Sequence, residues 1–184
     1  MPYVAEPVLP NRLRAARLAR AFHVVLVEPE IPPNTGNVAR LCAATASPLH
    51  LVGRLGFSID DHAVRRAGLD YWPLVDVSTH ADLASAELRI REREAPGTPR
   101  TWLYSGTAKR SYLDADVALG DVLVFGKESV GLPPALLEER GAAVLGIPTL
   151  GAVRSLNLAN SVAIVVYEAL RRLGALAVDP DADF

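Results

Sequence analysis

A single cysteine, Cys42, excludes an internal disulfide framework and any zinc site built only of thiolates. No apolar run approaches the ~20 residues that span a bilayer, and no uninterrupted apolar stretch follows the N-terminal arginines. Neither a membrane span nor a secretory signal is expected, and a cytoplasmic protein is. Lysine is nearly missing: of 19 basic residues only Lys109 and Lys127 are lysine, and seventeen are arginine. Arginine grips phosphate with two parallel hydrogen bonds, which lysine cannot do. A GC-rich genome gives the same bias, together with Ala, Gly and Pro, so composition alone marks no site. The net charge of -2 excludes a uniformly basic surface but not a local basic face that collects phosphates.

The usual nucleotide signatures are also missing. No Gly-x-Gly-x-x-Gly follows the first apolar run, and Gly126-Lys127-Glu128-Ser129 lacks the upstream glycine and Lys-Ser/Thr adjacency of a phosphate loop. Asp60-Asp61-His62 sits at a helix start, where acidic caps are expected, so capping is preferred over a metal cluster. His23, His50 and His80 are scattered, with no spacing that suggests metal or triad chemistry. No metal is expected.

What is present is an alternation of two periods in 184 residues and 19.7 kDa, room for one domain. Apolar runs at Phe22–Val27, Leu49–Val52, Leu74–Val77, Thr101–Tyr104, Val122–Phe125 and Ala143–Ile147 read as strands. Helical patterns fall at Asn34–Ala46 (capped by Asn34 or Thr35), Asp60–Ala67, Ala81–Glu94 and Leu156–Leu173. Strands apolar throughout and separated by helices predict an α/β fold with a parallel sheet covered on both faces. Residues 1–21 form an arginine-bearing leader whose spacing suits a short helix, either solvated, RNA-facing or a mere extension. Residues 22–174 form the domain, and 175–184 read as a frayed tail. The last helix leaves almost no polar stripe, so a second subunit is its natural cover and a homodimer through this helix is expected.

Three segments concentrate polar residues at strand exits. The first, Glu28-Pro29-Glu30-Ile31-Pro32-Pro33-Asn34-Thr35-Gly36-Asn37, delivers amides to a helix N-terminus, with Arg40 about two turns in. In the second, Gly126-Lys127-Glu128-Ser129-Val130-Gly131-Leu132-Pro133, a glycine directly after a buried strand allows close approach to the backbone. The third, Ser155-Leu156-Asn157-Leu158-Ala159-Asn160-Ser161, sets four polar side chains at the start of an apolar helix, and each needs a partner. Each segment alone is also compatible with capping or an ordinary strand-to-helix turn.

Together, and with Arg65–Tyr71 (Arg-Arg-Ala-Gly-Leu-Asp-Tyr), these segments resemble the SPOUT class of RNA methyltransferases over roughly residues 22–174. The likeness is greatest to the small 2'-O-methylating enzymes of the tRNA wobble nucleotide. The resemblance implies a C-terminal trefoil knot, a homodimer, S-adenosyl-L-methionine as cofactor, and the tRNA anticodon stem-loop as partner. It implies that Gly126 and Ile147 line the adenosyl pocket and that Tyr104 and Ser155 also touch the cofactor. It assigns Arg40 to the target hydroxyl, with Asn34, Glu128, Ser155 and Asn157 around it. Guanidinium keeps its proton far above neutral pH, so Arg40 is read as orienting the target phosphate and favouring the developing alkoxide, not as the base. The sequence departs from the family pattern at Val130, where relatives carry a basic residue, at Tyr104, where they carry an apolar one, and along Gly106–Ser111. Two alternatives to wobble methylation stand beside it: the same reaction on another tRNA position or on ribosomal RNA, and an idle RNA-binding dimer.

Overall fold

Six short strands, none longer than five residues, form one parallel sheet in the order β3-β2-β1-β5-β4-β6. The computed structural model describes residues 13–16, 18–58 and 71–179. The strands are β1 (His23–Val27), β2 (Leu49–Val52), β3 (Val77–His80), β4 (Thr101–Tyr104), β5 (Val122–Phe125) and β6 (Val144–Leu145). The helices are α1 (Pro32–Ala44), α2 (Leu83–Glu94), α3 (Pro134–Glu139) and α4 (Leu158–Arg172).

Alternation along the strands divides the apolar side chains between two cores. Val24, Leu26, Leu51, Leu123 and Phe125 pack with Val38 and Cys42 of α1 and with Val162, Val165 and Val166 of α4. Val25, Val52, Leu103, Val122 and Val124 pack with Ala86 and Ile90 of α2. Both faces of the sheet are therefore covered, which is why its central strands read as unbroken apolar runs. β1 and β5 are neighbours, His23 opposite Val122, and their exits feed helices on opposite faces. In open parallel sheets, ligands bind at such a reversal, beyond the carboxyl ends of the strands.

Several expectations shift. Leu74–Val77 is not a strand: Trp72–Leu74 forms a 3-10 turn, with Pro73 in its first turn, and β3 begins at Val77. This edge strand carries Ser78, Thr79 and His80, so apolarity was a poor guide to it. β6 is only Val144–Leu145, preceded by a 3-10 turn at Gly141–Ala143. Asn34 and Thr35 do not cap α1; they lie inside it, Ile31 is the N-cap, and proline fills the first positions. Proline at the helix start removes an N–H that would otherwise need a partner. The described part of the leader is not helical. Ala15 bridges Val178 antiparallel and Asp179 N–H donates to the Arg14 carbonyl, so leader and tail hold each other through Asp179. The helix expected at Asp60–Ala67 lies outside the described residues, as does most of Arg65–Tyr71. Among the described residues no helix is long and apolar enough to cross a membrane.

Candidate active site

The exits of β1 and β5 are laced together by carboxylates that accept from the opposite loop. Glu128 accepts from the Glu30 N–H at 2.9 Å, the Ile31 N–H at 3.3 Å and the Asn34 side-chain amide at 2.8 Å. Glu30 accepts from the Ser129 N–H at 3.0 Å, and hydrogen bonding from Ser129 holds its carboxyl below the usual range. Lys127 donates to Glu28 at 2.9 Å, which raises the lysine pKa. Glu128 thus serves the N-terminus of α1 as a carboxylate supplied from another loop, where negative charge meets free N–H groups.

The third segment joins the same chain of bonds. Asn157 caps α4 by accepting from the N–H groups of Ala159 and Asn160, at 2.9 and 3.3 Å. Its side-chain amide donates to the Asn34 side-chain oxygen at 2.9 Å. A single path therefore runs from the α4 N-terminus through Asn157 and Asn34 to Glu128. It ties together residues 123 and 94 positions apart in sequence. Asn34 can donate to Glu128 and accept from Asn157 at once only because its amide has both groups. Ser161, also singled out by its apolar surroundings, donates to the Asn157 carbonyl.

Gly126 follows β5, but what crowds it is its own loop. A Cβ there would lie 2.2 Å from the carbonyl carbon of Gly131, which folds back through a Gly131 N–H to Lys127 carbonyl bond of 2.9 Å. Gly131 itself has φ +76, in the region that favours glycine. Tyr104, at the end of β4, is buried in the core with its ring stacked on Phe125, centroids 4.7 Å apart. Burial pushes its hydroxyl pKa up. Ile147 is half-buried against the core, and Ser155 is exposed. Among the described residues, 147–156 take part in no backbone–backbone hydrogen bond. Arg40 is exposed on α1 with its guanidinium 4.7 Å from the centroid of the Tyr71 ring.

Sequence reasoning missed two groups. Glu30 and Tyr71 lay inside quoted motifs but had no chemistry assigned to them. The scattered histidines converge: His23 Nδ1 meets His50 Nε2 at 2.9 Å, and His50 Nδ1 meets His80 Nε2 at 3.0 Å. His23 Nε2 meets Glu94 Oε1 at 3.0 Å, and Arg20 pairs with the same carboxylate. These residues sit on three adjacent strands and one helix, and only strand register aligns them. Their reading as isolated residues is corrected.

The profile described as the SpoU rRNA Methylase family matches residues 21–167. A tRNA (cytidine(34)-2'-O)-methyltransferase from Saccharophagus degradans is 46% identical over 154 residues, spanning 83% of this chain and 96% of that protein. A solved structure described as "Structural insights into the 2-OH methylation of C/U34 on tRNA" is similar at TM-score 0.74 and 44% identity. That likeness covers 83% of this chain and 96% of the other. An AdoMet-bound rRNA methyltransferase from Sinorhizobium meliloti is similar at TM-score 0.66 and 28% identity, over 83% of this chain and 57% of that one.

Proposed function

Because the chain belongs to the SpoU rRNA Methylase family, we propose that it 2'-O-methylates the ribose of the wobble pyrimidine, nucleotide 34, of tRNA. Acting in the cytoplasm, it would take S-adenosylmethionine as donor and the anticodon stem-loop as acceptor. The observation that carries this reading is the Asn157–Asn34–Glu128 path, which closes the three motif segments around one crevice.

The exits of β4, β5 and β6 suit the cofactor. The 147–156 loop offers backbone donors and acceptors, and Ile147 and the fully exposed Leu150 offer apolar surface. Gly126, Ile147, Ser155 and the Tyr104 backbone are assigned to hold it. When bound, S-adenosylmethionine supplies a methyl group already activated on a sulfonium. The chain's task is then alignment, electrostatic support and the handling of one proton. Arg40 is assigned to the target phosphate and to the developing alkoxide. Asn34 and Asn157 hold the floor of the crevice in a single orientation. Glu128, with three donors on its carboxylate, braces the β1 and β5 loops.

Two finer features belong to the same reading. The β6-to-α4 connection threads the 105–121 loop to form a trefoil knot. This is supported by the approach of the Arg154 carbonyl to Gly106, where a Cβ would stand 3.7 Å away. The chain forms a homodimer through α4, supported by Ile164 and Tyr167, which are 37% and 46% exposed on one side of that helix. Ile164→Asp is expected to yield a monomer in sedimentation velocity, and an unchanged species would remove the dimer from the reading.

The deciding experiment is methyl transfer from labelled cofactor to total tRNA, followed by mapping of the modified nucleotide. Label at the 2'-oxygen of nucleotide 34 is expected. Label confined to ribosomal RNA, or no transfer by folded protein that binds the cofactor, would overturn the proposal.

A further inference from the structure

The structure gives Arg40 an aromatic partner from outside the three laced loops. We infer that Tyr71 is a positioning residue for Arg40, its ring holding the guanidinium by one face so that the edge donors stay free for RNA. The inference rests on the proposed role of Arg40 at the target nucleotide.

Six of the thirteen arginines among the described residues are engaged by carboxylates. Arg20 pairs with Glu94, Arg93 with Asp76, Arg140 with Glu87 and Arg171 with Glu168. Arg40 has no carboxylate partner among the described residues; its guanidinium carbon lies 4.7 Å from the centre of the Tyr71 ring. The difference matters chemically. A carboxylate would occupy two of the five N–H donors and cancel the charge that a phosphate or developing alkoxide needs. An aromatic face attracts the cation through its quadrupole and uses none of the in-plane N–H groups. An exposed arginine on a helix otherwise samples many rotamers, and a ring beside it narrows that ensemble before RNA arrives.

Tyr71 is well placed to do this because it is itself fixed. It begins the 3-10 turn Trp72–Leu74, its carbonyl accepting from the Leu74 N–H at 2.9 Å. The Trp72 carbonyl accepts from the Val75 N–H at 3.2 Å, and Trp72 and Val75 pack against the core that contains α1. The ring therefore comes from the β2–β3 connection, while Arg40 comes from the β1–β2 helix. Nothing in this contact needs the tyrosine hydroxyl.

The test is steady-state methylation of tRNA and equilibrium tRNA binding, with the wild type, Tyr71→Phe, Tyr71→Leu, Arg40→Ala and the Arg40→Ala/Tyr71→Leu double variant. Tyr71→Phe is expected to stay within about twofold of wild type. Tyr71→Leu, which keeps the bulk but not the π-face, is expected to lose about tenfold in kcat/KM and to leave cofactor affinity unchanged. In the Arg40→Ala background the Tyr71→Leu change should add nothing, because the contact is already gone. An undiminished Tyr71→Leu enzyme, an equal loss in the Arg40→Ala background, or a Phe variant as poor as the Leu variant would each overturn the inference. Wild-type protein that binds tRNA without methylating it would defeat the proposed function alone; the same coupling, read in Kd, would still decide the role of Tyr71. Wild-type protein that neither binds nor methylates tRNA would overturn both.

Discussion

Two chains of polar side chains run through this molecule, and they end differently. Asn157, Asn34 and Glu128 connect loops beyond the strand ends, and Ser155 and Ser129, close to them in sequence, are exposed. His80, His50, His23 and Glu94 cross the α2 face of the sheet, with His23 and His50 almost fully buried. One tautomer satisfies the second chain throughout: each ring donates from Nε2 and accepts at Nδ1, and Glu94 accepts last. Ser78 adds a contact to His50 Nδ1 at 2.8 Å. A network that consumes its own donors and acceptors stabilises a fold and offers a ligand little. A network that stops at the mouth of a crevice can support binding. Both are polar, and only their termini separate structure from function.

The comparison can be broken most sharply at Gly126. Alanine there would place a Cβ 2.2 Å from backbone that cannot move without opening the loop. Gly126→Ala is expected to lower kcat/KM for methyl transfer by at least about a hundredfold, through loss of cofactor binding measured by calorimetry. Retained binding would mean that the 127–131 loop is not part of the cradle.

The histidine chain should respond in stability and not in catalysis. His50→Leu leaves buried His23 Nδ1 without its partner, at a cost of about 1–3 kcal/mol, while half-buried His80 Nε2 keeps Ser78 Oγ at 3.1 Å. Denaturant midpoints should fall accordingly, while turnover below the transition stays near wild type. A turnover loss larger than the stability loss would make this chain functional.

Acid should act on the same chain. Burial, and then the charge of Arg20, pulls the His23 pKa from 6.5 down to about 4. Burial, and then the neighbouring rings, pulls that of His50 from 6.5 to about 3. Between pH 6.5 and about 4 the unfolded chain therefore binds more protons than the folded one, and stability falls as pH falls. The slope reaches up to about 1.4 kcal/mol per pH unit for each ring. Asp76, Arg93 and Glu94 surround the same groups, so the His50→Leu variant is the needed control, and its profile should be flatter over this window.

The smallest effect is expected at Tyr104. Its ring stacks on Phe125 within the core, so Tyr104→Phe keeps the packing and should leave cofactor affinity within about twofold. A larger loss would mean that the hydroxyl, and not the backbone alone, meets the ligand.

Much of this was legible in the residues. Leu49–Val52, Thr101–Tyr104 and Val122–Phe125 coincide with the observed strands, because strands buried on both faces declare themselves as short apolar runs. The α4 helix was legible within two residues at its start and one at its end. Polar Ser78 and His80 hid β3, and two prolines started α1 earlier than the amide caps suggested. Three polar segments at strand exits marked the crevice, since a run of amides and carboxylates against apolar helices needs partners somewhere.

By itself the order of residues determined the alternation of strand and helix, the covered parallel sheet and the three polar segments, all of which depend on neighbours a few positions apart. Only the tertiary structure decided that Glu128 braces α1, that Gly126 makes room for its own loop, that Tyr71 faces Arg40, and that three distant histidines are hydrogen-bonded in one line. Those facts depend on strand register and on how loops meet, and such contacts join residues whose separation along the chain carries no periodic mark.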